Sequence, residues 1–397
     1  MAQSRWAELP AELLDEIAKH IESCVDYVRC RVVCSRWNRS LPKRPQHQRQ
    51  PISQTPWLML PYDEKNKTVG GFYSVDCKKT YHIDVEEARG KLCRGSIDGW
   101  LVMVEDGPAV NLLNPITKDQ IALPPISTLP YLTGYDPDRK DEEYAIANYK
   151  SGNVYMYSKS QWKMLGLQKV VLSSTPAAKD FVALAIYGEY SRLVFCKGGD
   201  DKWTSLQTPP ICCSDIIFYE GKFYAISGPI LVVCDPGSLP NVVTRHVEVS
   251  ENCQVMSYLV GSPIYGLLMV SRTYDYFQVR KIDNETSTGY RTTAFKVYKF
   301  EKRRRRGPKW TRITELGDNM LFLGMNASLL VPSQHFGEGF TIYYSDNSWE
   351  FQKEDVYGGF DFGFFKLENN SFHKLQGCKS HEFLLWPPPV WVLPKPC

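Results

Sequence analysis

The sequence predicts a mainly β protein: an N-terminal unit of three short helices, then a β-propeller of six or seven blades. Three observations carry this expectation. "LPAELLDEIAKHI" (9–21) is a sharply two-faced helical pattern. Beyond residue 50, short β-branched and aromatic runs alternate with Gly, Asn, Asp and Pro turns, with no convincing long helix among them. Those runs return about every forty residues.

The helical unit comes first. At about 100° per residue, Leu13, Leu14, Ile17, Ala18 and Ile21 form one stripe. Glu12, Asp15, Glu16, Lys19, His20 and Glu22 fall opposite. Pro10 suits a first helical turn, where its missing N–H costs nothing, and it holds Leu9 extended. In "DYVRCRVVCSRWNRSL" (26–41), Val28 and Val32 are four apart, and so are Val33, Trp37 and Leu41, which places each set on one helix face. Pro42 and Pro45 end the pattern. A unit of about forty residues is near the lower limit for folding without disulfides or metal. An exposed apolar patch completed by a partner is therefore expected. The domain boundaries read 1–44 for this unit, 45–56 for a Pro/Gln/Arg linker, and 57–397 for the propeller.

The propeller follows from the period. Strand-like runs centre on Tyr81, Gln120, Trp162, Trp203 and Thr244, with gaps of 39, 42, 41 and 41 residues. Runs at Trp310 and Phe372 follow after 66 and 62, which requires insertions or extended hairpins, "EKRRRRGPK" (301–309) being one such insertion. A four-stranded blade cannot bury both faces alone, and a closed ring of blades does. "WLML" (57–60) and "PPPVWVLP" (387–394) are the expected closing segments. The alternating Phe of "GGFDFGFF" (358–365) suits an inner blade strand with Gly at a close approach, and "VEEARGKL" (85–92) suits one or two helical turns. No WD dipeptide closes a unit, and only Gly70-Gly71-Phe72-Tyr73 is similar to a kelch double glycine.

Two stretches carry a family resemblance. Leu9, Pro10, Glu12, Leu13 and Leu14, with the later Val33, Cys34 and Trp37, resemble an F-box in order and spacing. The resemblance implies docking on the Skp adaptor of a cullin–RING ubiquitin ligase. It makes Leu9, Pro10, Leu13, Leu14 and Ile17 contacts, with Val32, Val33 and Trp37 in the core or assisting. Farther on, Ser96, Gly99, Trp100, Leu101, Asn114, Pro115, Thr117, Leu123, Pro124 and Pro125, with the terminal "LLWPPPVWVLP" (384–394), resemble the KIB-type β-propeller of plant F-box proteins. By that resemblance the chain recruits a target protein, of unknown identity, for ubiquitination and performs no bond chemistry itself.

Composition narrows the alternatives. The chain has 397 residues, 43% hydrophobic and 13% aromatic, enough for a large core. A net charge of +3 gives no global field toward nucleic acid or membrane. Acidic residues interrupt any N-terminal signal core, and no stretch approaches a membrane span. Twelve Cys without a CxxC pair read as reduced intracellular thiols, which leaves the five N-x-S/T triplets without a role. The expected location is nucleus, cytoplasm or both.

Neither G-x-S-x-G, H-E-x-x-H nor a phosphate-binding Gly-rich loop occurs. His82 and Asp84 share a strand face without a third ligand, so no metal or cofactor is expected. The strongest charge run, Lys302, Arg303, Arg304, Arg305, Arg306 and Lys309, reads as either a nuclear import signal or a solvated hairpin tip. The rival reading is a stand-alone nuclear propeller that binds nucleic acid or a small ligand.

Overall fold

The computed structural model describes residues 5–21, 27, 30–31, 33–41, 55–60, 70–83, 85–105, 107–115, 117–148, 150–176, 180–209, 211–249, 256–280, 286–303, 307–333, 340–346, 361–376, 378 and 389–393. Seven β-sheets follow the helical unit. Six of them are blades, because each sends its innermost strand to one channel of about 290 Å³; Ser96, Lys169, Ile217, Leu259, Leu329 and Leu393 each line it from a different blade.

Blade 1 joins Trp57–Leu60, Gly70–Ser74 and Lys79–Ile83 to the C-terminal strand Val390–Val392. There Leu58 pairs with Trp391 and Met59 with Val390, so the two ends of the ring meet in one sheet. The Trp391 ring N–H donates to the Leu323 carbonyl of blade 6 at 3.1 Å. Its own carbonyl accepts from Ser96 of blade 2 and from Asn326, which leads into the inner strand of blade 6. One fully buried tryptophan thus ties the seam to both neighbours.

Blade 2 runs Leu92–Ile97, Trp100–Val104, Val110–Leu113 and Gln120–Leu123. Asp98 and Gly99 connect its first two strands with φ of 45° and 85°, the two positive values a tight right-twisting hairpin demands. Blade 3 runs Leu167–Leu172, Val182–Tyr187, Arg192–Lys197 and Thr204–Ser205, and blade 4 runs from Asp215–Tyr219 out to Val243–His246. Blade 5 begins at Met256–Ser262 and carries a long hairpin, Gly266–Arg280 with Thr286–Glu301, then Lys309–Ile313. Blade 6 is five-stranded in the order Ser328–Pro332, Asn319–Leu323, Thr341–Tyr344, Gly363–Lys366, Ser371–His373. A separate apolar cluster fills each of the six seams between neighbouring blades. Backbones nearly touch at these seams. A Cβ on Gly95 would stand 2.1 Å from the Val170 carbonyl oxygen, and one on Gly261 2.4 Å from the Tyr219 ring.

The seventh sheet is an insert between blades 2 and 3. It holds Leu132–Tyr135, Tyr144–Ala147 and Val154–Tyr157, followed by helix α3 (Lys159–Leu165). This corrects the reading of Trp162 as a strand centre. Ser158 accepts from the Gln161 N–H and the Gln161 side chain accepts from the Ser158 N–H, a capping box that starts a helix. The Arg94 guanidinium of blade 2 closes the other end of α3 by donating to the Lys163 carbonyl at 3.1 Å. The insert is close to forty residues long, so it mimics one blade period, which is why the spacing alone fits six blades or seven.

Two other expectations change. The surplus length in blade 5 lies in its long hairpin; of the run 302–309, Lys302 and Arg303 directly follow Glu301, Lys309 opens the next strand, and 304–306 lie outside the described residues. Gly363–Lys366 lies next to the outer edge of blade 6, not at its inner edge. The "VEEARGKL" turn is a single 3-10 turn over Glu86–Ala88.

Candidate functional site

Helix α1 (Ala11–Lys19) begins directly after Pro10, whose carbonyl accepts the first helical bond from Leu14 N–H at 3.1 Å. Leu14 and Ala18 pack inward with Tyr27, Trp37 and Leu41, and Leu9, Ile21, Cys30 and Cys34 surround that cluster. Trp37 lies on helix α2 (Ser35–Ser40), and its ring N–H donates to the Trp6 carbonyl at 3.0 Å, fastening the 3-10 turn Arg5–Glu8. Arg31 donates to the Leu41 carbonyl at 3.2 Å and closes the unit.

The apolar stripe of α1 is wider than its partners can cover. Its members span an arc of about 140°. Leu14, Ala18 and Ile21 turn to the core, whereas Leu13 stays 52% exposed and Ile17 37% exposed on the next face. Pro10 is exposed beside them, and elsewhere in the unit so are Val33 and Trp6. The third face of α1 is ionic. Lys19 bridges Asp15 at 3.2 Å and Glu16 at 3.1 Å. The hydrogen bond from Lys19 lowers the Glu16 carboxyl below its ordinary value, and Glu16 raises Lys19 in return. The helix therefore offers one face to its own core and two to water, one of them ionic and one apolar.

Of the residues singled out for docking, Pro10, Leu13, Ile17 and Val33 lie at the surface, Leu9 is half-buried, and Leu14 and Trp37 are core. Val32 lies outside the described residues, as do Arg304, Arg305, Arg306 and Asp84; His82 has only its backbone described. Lys302 and Arg303 are exposed after blade 5's hairpin, with Arg303 held by Glu301 at 2.9 Å, and Lys309 is half-buried. Trp6, 63% exposed, was not anticipated, because it precedes the motif that draws attention.

The propeller's ionic groups serve its frame. Lys169 in blade 3 and Asp215 in blade 4 form a buried ion pair beside the channel, and Asp215 also accepts from Leu259 N–H of blade 5 at 2.6 Å. Burial lifts the Asp215 carboxyl above its ordinary 3.8, while Lys169 pulls it back. Arg272 is wholly buried at the foot of the long hairpin. It bonds Thr292 at 2.7 Å, Tyr258 and the Ser345 carbonyl at 2.9 Å, and Asp361 at 2.9 Å. Among the described residues there is no cluster of three metal-ligating side chains, all nine described cysteines are free thiols, and no helix is long and apolar enough to cross a membrane.

A helical unit with an uncovered apolar face is joined to a closed six-bladed ring, so the chain is a β-propeller protein with an N-terminal helical unit. The pattern of the KIB1-4 beta-propeller family matches residues 72–366. The chain belongs to that family. The Arabidopsis thaliana F-box protein SKIP23 is 23% identical across 98% of this chain and 95% of its own length. The Arabidopsis F-box protein At2g17036 is 27% identical across 98% and 94%. The Arabidopsis F-box/kelch-repeat protein At1g57790 is 28% identical across 58% of this chain and 68% of its own. Among solved structures, TolB from Acinetobacter baumannii aligns over 64% of this chain and 66% of its own at 14% identity, with a TM-score of 0.23, too slight a likeness to build on.

The propeller residues that carried the family resemblance have structural work. Asn114 accepts from the Thr117 N–H at 3.1 Å, making N-P-x-T a side-chain-closed turn. The Pro124 carbonyl of L-P-P accepts the Trp203 ring N–H at 2.8 Å, binding blade 2 to the end of blade 3.

Proposed function

We propose that this chain is the substrate-recruiting subunit of an SCF-type cullin–RING ubiquitin ligase: the helical unit docks on the Skp adaptor and the propeller holds a target protein. The observation that carries the reading is the exposed pair Leu13 and Ile17, one helical turn apart on a helix whose other faces are already satisfied. A small unit keeps such a face out of its own core at no benefit to itself; burying it against a partner recovers about 25 cal/mol per Å² of apolar surface. The names of the relatives support the same reading. Function then lies in proximity: a ubiquitin donor tethered through the adaptor gains a high effective concentration at the target's lysines. The chain itself supplies binding surfaces and no reacting group.

The test is reconstitution. The full chain co-expressed with a plant Skp adaptor and cullin should elute from gel filtration as one complex of stoichiometric subunits. Separate elution of the folded chain would overturn the reading.

A further inference from the structure

The insert between blades 2 and 3 carries a strand edge that no described strand pairs, beside an aromatic cleft. Val154–Tyr157 is the edge strand of its sheet, with Val154 54% and Tyr155 48% exposed. Its ladder fixes which backbone groups face outward. Asn148 N–H donates to the Asn153 carbonyl at 2.7 Å, and Ala147 N–H points the other way, to the Tyr131 carbonyl, also at 2.7 Å. Bonded and non-bonded pairs alternate along an antiparallel ladder. Tyr155 and Tyr157 therefore exchange bonds with Ile146 and Tyr144, and Val154 and Met156 direct their N–H and C=O groups away from the sheet. No other strand pairs with this edge among the described residues. The strand reads Val-Tyr-Met-Tyr, with none of the Lys, Pro or inward charge that guards natural edges.

The cleft lies alongside. Tyr131, Tyr155, Tyr157, Trp162, Tyr187 and Tyr190 line it. Tyr and Trp in a partly desolvated depression are the composition of binding hot spots. Its volume of about 40 Å³ holds one or two waters, which is room for the tip of a small aliphatic side chain. Tyr131 takes its place there with φ of 67°, a left-handed conformation that a bulky residue adopts only when its neighbours hold it. Among the described residues, Arg192, 5.1 Å from the Tyr131 ring centre, and Glu189, 3.5 Å from the Tyr157 hydroxyl, line the cleft, and Lys150 stands beside it, 5.7 Å from the Tyr190 ring centre. With Lys150 the described cations outnumber the anions.

We propose that an extended acidic segment of a recruited target adds as a fourth strand to Val154–Tyr157 and seats one aliphatic side chain in this cleft. Main-chain bonds to Val154 and Met156 give affinity, the cleft selects the anchor, and Lys150 with Arg192 selects acidic flanks. This rests on the reading of the chain as a recruiting subunit, but it is tested without the adaptor.

The experiment selects binders to the purified full chain from a displayed library of random linear peptides. Enriched peptides should share an aliphatic residue with neighbouring Asp or Glu. Met156→Pro removes one outward N–H without touching the ladder to the next strand, and should weaken the best peptide about tenfold. Lys150→Glu with Arg192→Glu should turn the preference from acidic to basic flanks. Thermal melting of each variant checks folding, and Lys150 lies on an exposed hairpin, so Lys150→Glu alone keeps the charge test open. The proposal is overturned if no peptide is enriched, if the enriched peptides bind all variants equally, or if the free chain is a dimer that Met156→Pro splits, which would give the edge to a second copy. Adaptor capture by the same preparations reports separately on the ligase reading.

Discussion

The helical unit and the propeller solve the same problem with opposite results. Every seam of the ring has its own apolar cluster, and Trp57, Trp100, Trp203, Trp310 and Trp391 among them are all buried. Among the described residues the helical unit closes over five buried ones, yet leaves Trp6, Leu13, Ile17 and Val33 at the surface. Ring closure gives every blade a neighbour on both sides, so no apolar face is left over. The described helices and turn of the unit do not surround a stripe spanning about 140°, so part of it stays outside. An apolar face left over by geometry is what a partner can use.

Substitutions can break that comparison at either end. The largest loss should come from the ring's buried ions. Arg272→Met strands Asp361 and should cost about 3–5 kcal/mol, read as the shift of the denaturant midpoint at constant slope. Lys169→Met strands Asp215 at a similar cost, and that cost depends on pH. Because burial raises the Asp215 carboxyl, the folded chain keeps this proton at pH values where the unfolded chain has lost it. Its contribution therefore favours folding at low pH and fades as pH rises from 3.8 through the raised value. Removing Lys169 raises that value further, so the variant should lose more stability at about pH 8 than at about pH 5. Equal losses at both would place the carboxylate in a wetter site than its 3% exposure indicates.

Next comes the closing strand. Trp391→Ala empties a site between blades 1 and 6 and should cost about 3–5 kcal/mol. Leu14→Ala should cost about 2–5 kcal/mol within the helical unit alone, seen as early loss of helical ellipticity while the ring's near-ultraviolet signal persists. Its neighbour Leu13→Ala should change stability by no more than about 0.5 kcal/mol. A large effect of Leu13→Ala on folding would mean that the two faces of α1 are not separate.

The sequence carried a great deal of this and missed some of it for definite reasons. The helical stripe, the closing pairing of Trp57–Leu60 with the C-terminal strand, and the strands at Tyr81, Gln120, Thr244 and Trp310 follow from local periodicity, which both the sequence and the fold obey. Trp162 misled because an insert of nearly one blade length preserved the spacing, and the S-x-x-Q cap at Ser158 was the signal that separates helix from strand. The division of α1 into inward Leu14 and outward Leu13 was not legible, because both fall in one stripe and only the placement of Tyr27, Trp37 and Leu41 decides between them. Lys169, Asp215 and Arg272 are single polar residues in or beside apolar runs. Their partners lie on other blades, 46 and 89 residues away, beyond any local pattern.

The central claim is that α1 reserves its Leu13–Ile17 face for another chain. Calorimetric titration of purified Skp adaptor into the full chain tests it most directly, with Leu13→Lys/Ile17→Lys beside the wild type. Both substitutions lie at the surface, so the double variant should melt like the wild type and bind the adaptor at least a hundredfold more weakly, roughly the loss of two hot-spot contacts. Unchanged affinity in a folded double variant would contradict the account.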